Sequence, residues 1–553
     1  METRQGKSVF SGVAIGKLFI YKKAKQVVEK STIEDPAAEV ARYMAAKAKA
    51  KEQLEMLKEK TMKDVGEAEA EIFEAHQMLL EDLDFVEGIT GMIENDKVNA
   101  EYAVFVTGEQ CAALFLSMDD DYMRGRAADV NDISSRLIAI LSGTQVSAEA
   151  MPEPVIIMAE DLAPSETVQF EKDKILALVT QKGSANSHTA ILARMMNIPC
   201  IVTADIDLDP ELTGKDGIVD GFTGKIYIEP DEVTTAVMTE KKKREEERKL
   251  LLQSLKGLPT VTKSGKHIHL YSNIGSEEDV DAVLANDSEG IGLFRSEFLY
   301  LGRDTYPTEE EQFQVYKNVI SKMNGKKVII RTLDIGADKQ ADYFQIPKEE
   351  NPAMGFRAIR ICLHRPEVFK TQLRAIYRAS AYGTASIMFP MIISVAEVKK
   401  IKEIVEEVKD ELRQADIPFG DVELGIMVET PAAVMIADML APEVDFFSIG
   451  TNDLTQYTLA MDRQNLLLKD KYNDHHPALV KMIRMVTEAG HKSGCEVYIC
   501  GELAADSNLT EAFIQMGVDG LSVVPACVLP VRKAIRSSYA DEANRPEEAV
   551  KEK

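Results

Sequence analysis

Long apolar runs are absent from this sequence of 553 residues. No stretch reaches the 18 or more consecutive apolar residues that indicate a membrane-spanning helix, so we expect no transmembrane segment and no membrane insertion. The N-terminus also lacks a long apolar core followed by a small-residue cleavage site. We therefore expect a cytoplasmic protein.

Cysteine is sparse, and none of the six residues belongs to a C-x-x-C pair. The eight histidines are scattered along the chain. His267 and His269 fit alternate positions of a strand, and His475 and His476 adjoin each other in a loop-like stretch. We see no metal-ligand spacing in either pattern, and the sequence predicts no zinc site.

Basic residues are fewer than acidic ones: the chain has 65 Lys and Arg residues and 91 Asp and Glu residues, which gives a formal net charge of −26. A surface of this sign repels a phosphate backbone, which excludes nucleic acid as the main ligand. It favours a basic protein partner, although solubility alone accounts for the charge equally well.

Helix-forming residues fill one continuous region, residues 33–143, which is rich in Ala, Glu, Lys, Met and Leu. The pattern is broken at Gly66, at Asn95–Lys97 and at Asp119–Asp121. It predicts four helices joined by short polar turns.

β-Type runs alternate with helical stretches in residues 154–228, which predicts a small α/β domain. Residues 7–22 also have strand character, and we expect them to pair into the same sheet. The helical region is then an insertion within this domain. A long charged helix over residues 229–256 follows and suggests a connector, with a solvated surface helix as the alternative.

From residue 265 onward, eight β-type runs recur in about 290 residues, which is the size of a (β/α)8 TIM barrel. The sequence thus predicts a multidomain α/β protein. Its domains are an α/β domain of residues 1–30 and 146–228, a four-helix insertion of residues 31–145, a helical linker of residues 229–262 and a C-terminal barrel of residues 263–553.

Polar side chains end several of the predicted barrel strands. Active sites of such barrels are built at the C-terminal ends of the strands, so these side chains are candidates for one site. Arginines and acids together at that end predict a site for a small anion and a metal. The residues are Asn273, Arg295, Arg331, Asp334, Glu429, Asn452, Asp453 and Glu502.

A histidine begins a predicted helix in the segment from Gly183 to Arg194, GSANSHTAILAR. Ser187 is a candidate N-cap, which places His188 in the first turn. The positive end of the helix disfavours an imidazolium, so the ring stays neutral and nucleophilic, and free N–H groups can hold a phosphoryl group. The alternative is a capped helix with an incidental surface histidine.

Four arginines suit an anion that carries both carboxylate and phosphate, because guanidinium groups bind such groups with two hydrogen bonds. They are Arg295, Arg331, Arg357 and Arg463.

Around these arginines, Glu429 and Asp453 supply hard oxygen ligands for Mg²⁺, and Asn452 can donate to a phosphate oxygen. Cys500 can protonate a bound enolate if its thiol stays protonated. Ion pairs within the barrel and a packed core thiol remain the alternatives for the charged residues and Cys500.

Several longer motifs resemble one known family in its own order. They are DLAPSET, SHTAILAR, GIGLFRSEFL, IRTLDIGADK, NPAMGFRAIR, GIMVETPAA, FFSIGTNDLTQYTLA and CGELA. Over nearly its whole length the chain resembles Enzyme I of the bacterial phosphotransferase system, the phosphoenolpyruvate (PEP)–protein phosphotransferases. It departs from that pattern at Ala185, where the family often has an arginine.

The resemblance implies a two-step phosphorelay. PEP phosphorylates His188 at the barrel mouth with Mg²⁺ and releases pyruvate, and a swivelling α/β domain then carries the phosphoryl group to the carrier protein HPr. The four arginines and Asn452 would bind PEP, Glu429 and Asp453 would hold Mg²⁺, and Cys500 would donate the proton.

Further roles follow from the same resemblance. Thr167 would hydrogen-bond His188, Asn273 and Glu502 would support the mouth, and the barrel would form a homodimer. The helical insertion would bind HPr through Glu67, Glu71, Glu74, His76, Met78, Asp82 and Arg126.

Three other functions fit parts of the pattern. A PEP synthase or pyruvate–phosphate dikinase would need a nucleotide-binding domain, for which residues 33–143 are too short and too helical. A non-catalytic regulatory paralogue would be expected to lose the mouth arginines and acids, which are present. A lyase that uses only the barrel would leave His188 and the helices unexplained.

Overall fold

The computed structural model describes residues 1–22, 28–64, 67–117, 121–143, 153–167, 170, 172–184, 187–336, 341–465, 467–468 and 470–540. At some positions inside helices and strands, His188 among them, only the backbone is described. The chain forms two compact units, Met1–Arg248 and Lys249–Lys553. Among the described residues, no helix combines the length and the apolar character needed to cross a membrane.

One mixed sheet organises the first unit. Its eight strands are β1 (Glu2–Gln5), β2 (Lys7–Phe10), β3 (Val13–Tyr21), β4 (Val155–Ala159), β5 (Ile175–Thr180), β6 (Cys200–Val202), β7 (Asp216–Asp220) and β8 (Lys225–Ile228). They lie in the order β1-β8-β7-β3-β4-β5-β6-β2, with β3 to β6 parallel to one another. The N-terminal segment therefore pairs into this sheet, as the sequence predicts.

Both faces of the sheet are covered, which explains the unbroken apolar run of β4. Ile156 and Met158 pack into one hydrophobic cluster, whereas Val155 and Ile157 pack into another on the opposite face. Successive side chains of a strand point to opposite faces, so a strand buried on both sides has no polar alternation.

The helical insertion runs between β3 and β4 and holds five helices among the described residues, where the sequence pattern predicts four. They are α1 (Pro36–Asp64), α2 (Glu67–Glu81), α3 (Leu83–Asp96), α4 (Ala100–Leu116) and α5 (Asp121–Leu141). The additional break falls at Asp82, whose carboxylate accepts a hydrogen bond of 3.0 Å from the Phe85 N–H and caps α3. An acid at this position starts a new helix because it satisfies a free N–H of the first turn.

Three further helices complete the region before the barrel: α6 (Pro164–Thr167), α7 (His188–Met196) and α8 (Glu232–Gln253). The last is the long charged helix that the sequence predicts. Met238 is its buried residue, and Lys241 forms an ion pair of 2.7 Å with Asp220 of β7. This contact fixes the first part of α8 against the sheet of the first unit.

The second unit is a closed barrel of eight parallel strands. These are β9 (His269–Ile274), β10 (Ile291–Arg295), β11 (Val328–Arg331), β12 (Ala385–Phe389), β13 (Glu423–Val428), β14 (Phe446–Ile449), β15 (Glu496–Ile499) and β16 (Gly520–Val523). Each strand overlaps one of the eight β-type runs of the sequence, which confirms the predicted TIM barrel.

Helices connect and surround the barrel strands. They are α9 (Asp279–Ala285), α10 (Glu309–Lys322), α11 (Ile359–His364), α12 (Pro366–Ser380), α13 (Val395–Gln414), α14 (Pro431–Met435), α15 (Ala437–Leu440), α16 (Thr451–Leu459), α17 (Pro477–Lys492), α18 (Ser507–Gln515) and α19 (Val528–Ser537). Their apolar faces pack on the outside of the strands in one continuous core.

Side chains fill the inside of the barrel. Tyr271, Met388, Met427, Tyr498 and Cys500 belong to a separate buried cluster of inward-facing residues. The barrel is therefore a packed core and not a pore.

Candidate active site

His188 is the first residue of α7, and the structure confirms Ser187 as its N-cap. The Ser187 hydroxyl accepts a hydrogen bond from the Ala190 N–H at 3.4 Å and donates to the Ser184 carbonyl at 2.9 Å. The sequence prediction of a histidine in a first helical turn is thus confirmed. Ala185 and Asn186 lie outside the described residues.

The segment DLAPSET lies against the start of α7. Buried Thr189 donates a hydrogen bond of 3.4 Å to the Leu162 carbonyl, which ties the two segments together. Thr167 is also buried, and its hydroxyl donates to the Pro164 carbonyl at 2.8 Å. The His188 side chain lies outside the description, so a Thr167–His188 hydrogen bond stays a prediction.

Two buried arginines lie at the mouth of the barrel and share one acid. Arg331 ends β11 and forms ion pairs with Glu297 at 2.6 Å and with Asp334 at 3.0 Å. Arg357 pairs with the other oxygen of Asp334 at 2.8 Å and lies 3.6 Å from Asp453. Burial alone would lower the pKa of each arginine, but the surrounding acids outweigh it and raise the pKa above its usual value.

Each of the two guanidinium groups has a buried N–H donor that makes no hydrogen bond to the described residues. The donor is Nε in both Arg331 and Arg357. Buried polar groups are nearly always paired, so an unpaired donor marks a place where a ligand can bind. An anion at the mouth would supply acceptors for both.

Glu429 and Asp453 form the acidic side of the mouth. Glu429 follows β13, is 1% exposed and accepts a hydrogen bond of 2.7 Å from the Met391 N–H. Burial, followed by the charges of Asp453 and Asp334, raises the pKa of the Glu429 carboxyl to about 8.

These carboxylates fit a divalent metal ion, because a cation would offset the repulsion that raises the pKa of Glu429. Hard oxygen ligands of this kind suit a divalent ion such as Mg²⁺. Gly450 lies directly beside Glu429, and a Cβ at this position would be 2.9 Å from a Glu429 oxygen. The absence of a side chain at Gly450 therefore keeps the space next to the carboxylate open.

Cys500 follows β15 and is 4% exposed at the inner side of the mouth. Its thiol lies 3.6 Å from the Ile449 carbonyl and donates to it. Burial is the main cause that raises the pKa of the Cys500 thiol to about 11. The sulfur therefore keeps its proton at neutral pH and meets the condition for a proton donor.

Asn273 positions this part of the mouth. Its amide donates to the Cys500 carbonyl at 3.0 Å and to the Ser522 carbonyl at 3.2 Å, and its oxygen accepts from the Ser522 hydroxyl at 2.5 Å. Asn452 and Glu502 likewise join two loops, since the Asn452 amide donates to Glu502 at 3.0 Å and accepts from the Glu502 N–H at 2.9 Å.

Arg295 and Arg463 differ from the two buried arginines. Arg295 ends β10 beside Arg331 in register, and its guanidinium lies 5.1 Å from the centre of the Phe298 ring. Arg463 is exposed in the turn after α16, where its backbone N–H donates to the Gln456 side chain at 3.2 Å. The structure thus brings Arg331 and Arg357 together with the acids and leaves Arg463 at the periphery.

Tyr457 is a mouth residue that the sequence analysis missed. Its hydroxyl accepts a hydrogen bond of 3.2 Å from Arg357 and donates to the Ala353 carbonyl. Its position four residues after Asp453 could have identified it, because this spacing places both side chains on one face of α16.

Residues predicted to bind HPr lie on α2, α3 and α5. Met78 is 72% exposed, Asp82 caps α3, and Glu74 forms an ion pair of 2.6 Å with Lys58. The side chains of Glu67 and Glu71 lie outside the described residues.

His76 is fully buried, so its side chain offers no contact surface, which corrects the expectation drawn from the resemblance. Its ring nitrogens lie 3.3 Å from Asp129 and 3.9 Å from Asp132 of α5. Arg126 pairs with the other oxygen of Asp129 at 3.3 Å. The imidazole therefore lies between α2 and α5, beneath the surface.

This combination of a helix-start histidine and a barrel mouth with buried arginines and acids defines a class of enzymes that use PEP. Three family models match the chain in order. They are PEP-utilising enzyme, N-terminal, over residues 5–126, PEP-utilising enzyme, mobile domain, over residues 151–224, and PEP-utilising enzyme, PEP-binding domain, over residues 249–540.

Curated relatives make the assignment more specific. Phosphoenolpyruvate-protein phosphotransferases from Bacillus subtilis and Priestia megaterium are 43% and 44% identical, over 100% and 97% of this chain and 97% and 94% of theirs. The protein of that name from Haemophilus influenzae is 42% identical over 95% of this chain and 92% of its own. The chain belongs to the family of phosphoenolpyruvate-protein phosphotransferases.

Proposed function

We propose that this chain transfers the phosphoryl group of PEP to His188, releases pyruvate, and passes the group on to a histidine of the carrier protein HPr in a sugar phosphotransferase system. The observation that carries the proposal is the barrel mouth, where Arg331 and Arg357 are buried beside Glu429 and Asp453. Such a site suits a small anion together with a metal.

The arginines would bind the carboxylate and phosphate of PEP. Arg331 and Arg357 already have fixed orientations, because each is paired with Asp334, and their free Nε–H groups are available as donors. Charges held in place in a water-poor site stabilise a developing negative charge without reorganisation. Arg295, Arg463 and Asn452 would complete the binding of PEP at the rim.

Mg²⁺ is the metal that we propose for Glu429 and Asp453. When bound there, it would neutralise charge on the phosphoryl oxygens and on the leaving enolate. The protein's part is to hold the two carboxylates close together, with Glu429 in a buried place where its ionised form is disfavoured until a cation binds.

Cys500 would supply the proton that converts the enolate into pyruvate. The phosphorus–oxygen bond of PEP breaks as His188 Nε2 forms a bond to phosphorus, and the enolate carbon then takes the thiol proton. Solvent returns a proton to the thiolate. Because burial raises the pKa of this thiol to about 11, it is protonated before each turnover.

His188 is suited to both half-reactions by its place at the start of α7. The free N–H groups of the first turn and the positive helix end favour a neutral, nucleophilic ring before transfer and a bound phosphoryl group after it. The helical insertion would present Met78 and Asp82 to HPr, and the barrel would form a homodimer. The protein would act in the cytoplasm.

Intact-mass measurement of the purified protein after incubation with PEP and Mg²⁺ tests this function. We expect the mass of one phosphoryl group to be added, to be absent in the His188→Ala variant, and to be lost when HPr is added. An unchanged mass with PEP and Mg²⁺ present would refute the proposed activity and favour a non-catalytic paralogue. A phosphorylated His188→Ala protein would refute the choice of nucleophile.

A further inference from the structure

Two histidines and a glutamate meet at the end of the barrel opposite to the mouth. His269 begins β9, whose other end carries Asn273, and His267 lies two positions earlier. Their rings contact each other with centres 4.9 Å apart, and His267 Nε2 lies 3.2 Å from Glu289 Oε2. One donor atom from each of the three side chains lies within 4.8 Å of the other two.

The surrounding structure fixes the orientation of these side chains. The His269 ring stacks on Tyr271 with centres 5.4 Å apart, and the Leu270 N–H donates to Glu289 Oε2 at 3.3 Å. Gly520 pairs with His269 in the neighbouring strand, where a Cβ would lie 2.8 Å from the Cβ of His269. The glycine therefore provides the space in which the imidazole lies.

A fourth oxygen donor is within reach. Glu496 begins β15, and its Oε1 lies 3.9 Å from His269 Nε2. Its other oxygen accepts a hydrogen bond from the Tyr498 hydroxyl. In a tetrahedral site, metal–ligand bonds of about 2.0–2.2 Å place the donor atoms of any two ligands about 3.3–3.6 Å apart. The separations of 3.2 Å between His267 and Glu289 and of 3.9 Å between His269 and Glu496 lie close to that range.

The charges around the cluster favour a cation. Glu289 and Glu496 carry two negative charges, and the nearby Lys327 ammonium is paired with Glu423 at 2.6 Å. The two imidazole rings complete the set, because a ring nitrogen can donate its lone pair to such a cation.

We propose that His267, His269 and Glu289 form a second metal site, specific for a borderline divalent transition ion such as Zn²⁺ or Co²⁺, with Glu496 as the fourth ligand. Two imidazoles and carboxylates are ligands that such ions prefer. Mg²⁺ instead takes an octahedral set of oxygens, so it would remain at the mouth. A bound ion would join the segments of β9, β10 and β15 at the end of the barrel opposite to the mouth. It would stabilise the folded state because it binds that state alone.

Titration of the full-length protein with Co²⁺ tests the site, with Mg²⁺ in excess to occupy the mouth. We expect one equivalent of Co²⁺ to bind with visible d–d absorption, to be displaced by Zn²⁺, and to raise the unfolding temperature of the protein. In a His267→Asn/His269→Asn variant the affinity should fall by more than the roughly 10–100-fold that loss of a mere supporting residue costs. Glu289→Gln should weaken binding as well.

A matched variant, His475→Asn/His476→Asn, removes two imidazoles elsewhere and should bind Co²⁺ like the wild type. Glu429→Gln should also leave this site intact, because it changes only the mouth. Circular dichroism without metal establishes that each variant is folded. Binding of Co²⁺ with unchanged affinity and spectrum by the folded His267→Asn/His269→Asn protein would overturn the proposal, as would the lack of saturable binding by the wild type.

Discussion

Arg331 and Glu297 form an ion pair of 2.6 Å inside the barrel mouth, with side chains that are 7% and 0% exposed. The pair lies where charged groups lose most of their hydration, so each partner depends on the other. The same contact holds the guanidinium that we propose to bind PEP.

Substitution of Glu297 by glutamine should therefore destabilise the barrel by about 3 kcal/mol, because the buried Arg331 would keep, among the described residues, only the ion pair with Asp334, an acid that it shares with Arg357, to offset its charge. Denaturant-induced unfolding followed by circular dichroism measures this change. The control is Glu403→Gln, which breaks the exposed Lys400–Glu403 pair and should leave the free energy of unfolding nearly unchanged, because solvent screens this pair. Equal effects of the two substitutions would contradict the role of the buried pair.

Much of this architecture is predictable from local sequence patterns. The strand around Ile329 and Ile330 consists of apolar residues and ends at an arginine, so both the barrel strand and its active end are visible in the sequence. Asp82 was not recognised as a helix break, because the apolar positions continue through it with helical spacing and only the cap geometry reveals the new start.

Contacts between distant segments were harder to predict. Glu289 joins His267 and His269 only because the chain returns through α9 to the same end of the barrel. The sequence analysis considered the histidines without this acid and expected no metal ligands. Asp334 was predicted to lie at the mouth with Arg331, but its contact with Arg357 depends on the loop before α11, which has no strand or helix periodicity.

The raised pKa of Glu429 predicts proton release when Mg²⁺ binds. In the metal-free folded state this pKa is about 8, against 4.5 ordinarily, so at pH 7 most molecules hold a proton on Glu429. A bound cation favours the ionised carboxylate, and we expect about one proton to be released per Mg²⁺. Calorimetry in buffers of different ionisation enthalpy measures this number, and the Glu429→Gln variant should release none from this group.

The same pKa sets the pH dependence of stability without metal. The folded state binds more protons than the unfolded state between pH 4.5 and about 8, because the pKa of Glu429 is raised by burial and by Asp453. The free energy of unfolding should therefore fall as the pH rises through this window. We expect the slope to be smaller in Glu429→Gln, and equal slopes would show that Glu429 ionises normally.

Replacement of Cys500 by alanine should slow the release of pyruvate by about 10²–10⁴-fold, which is the range for loss of a general acid. PEP binding should change little, since the thiol donates to the Ile449 carbonyl and not to a ligand group. Rapid-quench measurement of pyruvate separates the two steps. Cys495→Ala is the control, because Cys495 is also buried but directly precedes β15 and so lies at the end of the barrel opposite to the mouth. A wild-type rate of pyruvate release in Cys500→Ala would show that Cys500 is a packed core thiol and not the proton donor.

Met78 should be an anchor for HPr. Its side chain is 72% exposed on α2, and a large flexible apolar group at the surface is a typical contact for a protein partner. Met78→Ala should raise the KM for HPr by about tenfold, the effect of removing a modest interface anchor. The first half-reaction with PEP should be unaffected, because the barrel mouth is unchanged.

The matched control is Met56→Ala, which removes a side chain that is 56% exposed on α1. If the contact surface follows α2 and α3 as predicted, Met56→Ala should leave the KM for HPr at the wild-type value. Equal increases in both variants would place the binding surface across α1 as well. An unchanged KM in Met78→Ala would remove Met78 from the interface, and the burial of His76 would then leave Asp82 and Glu74 as the α2–α3 residues to test next.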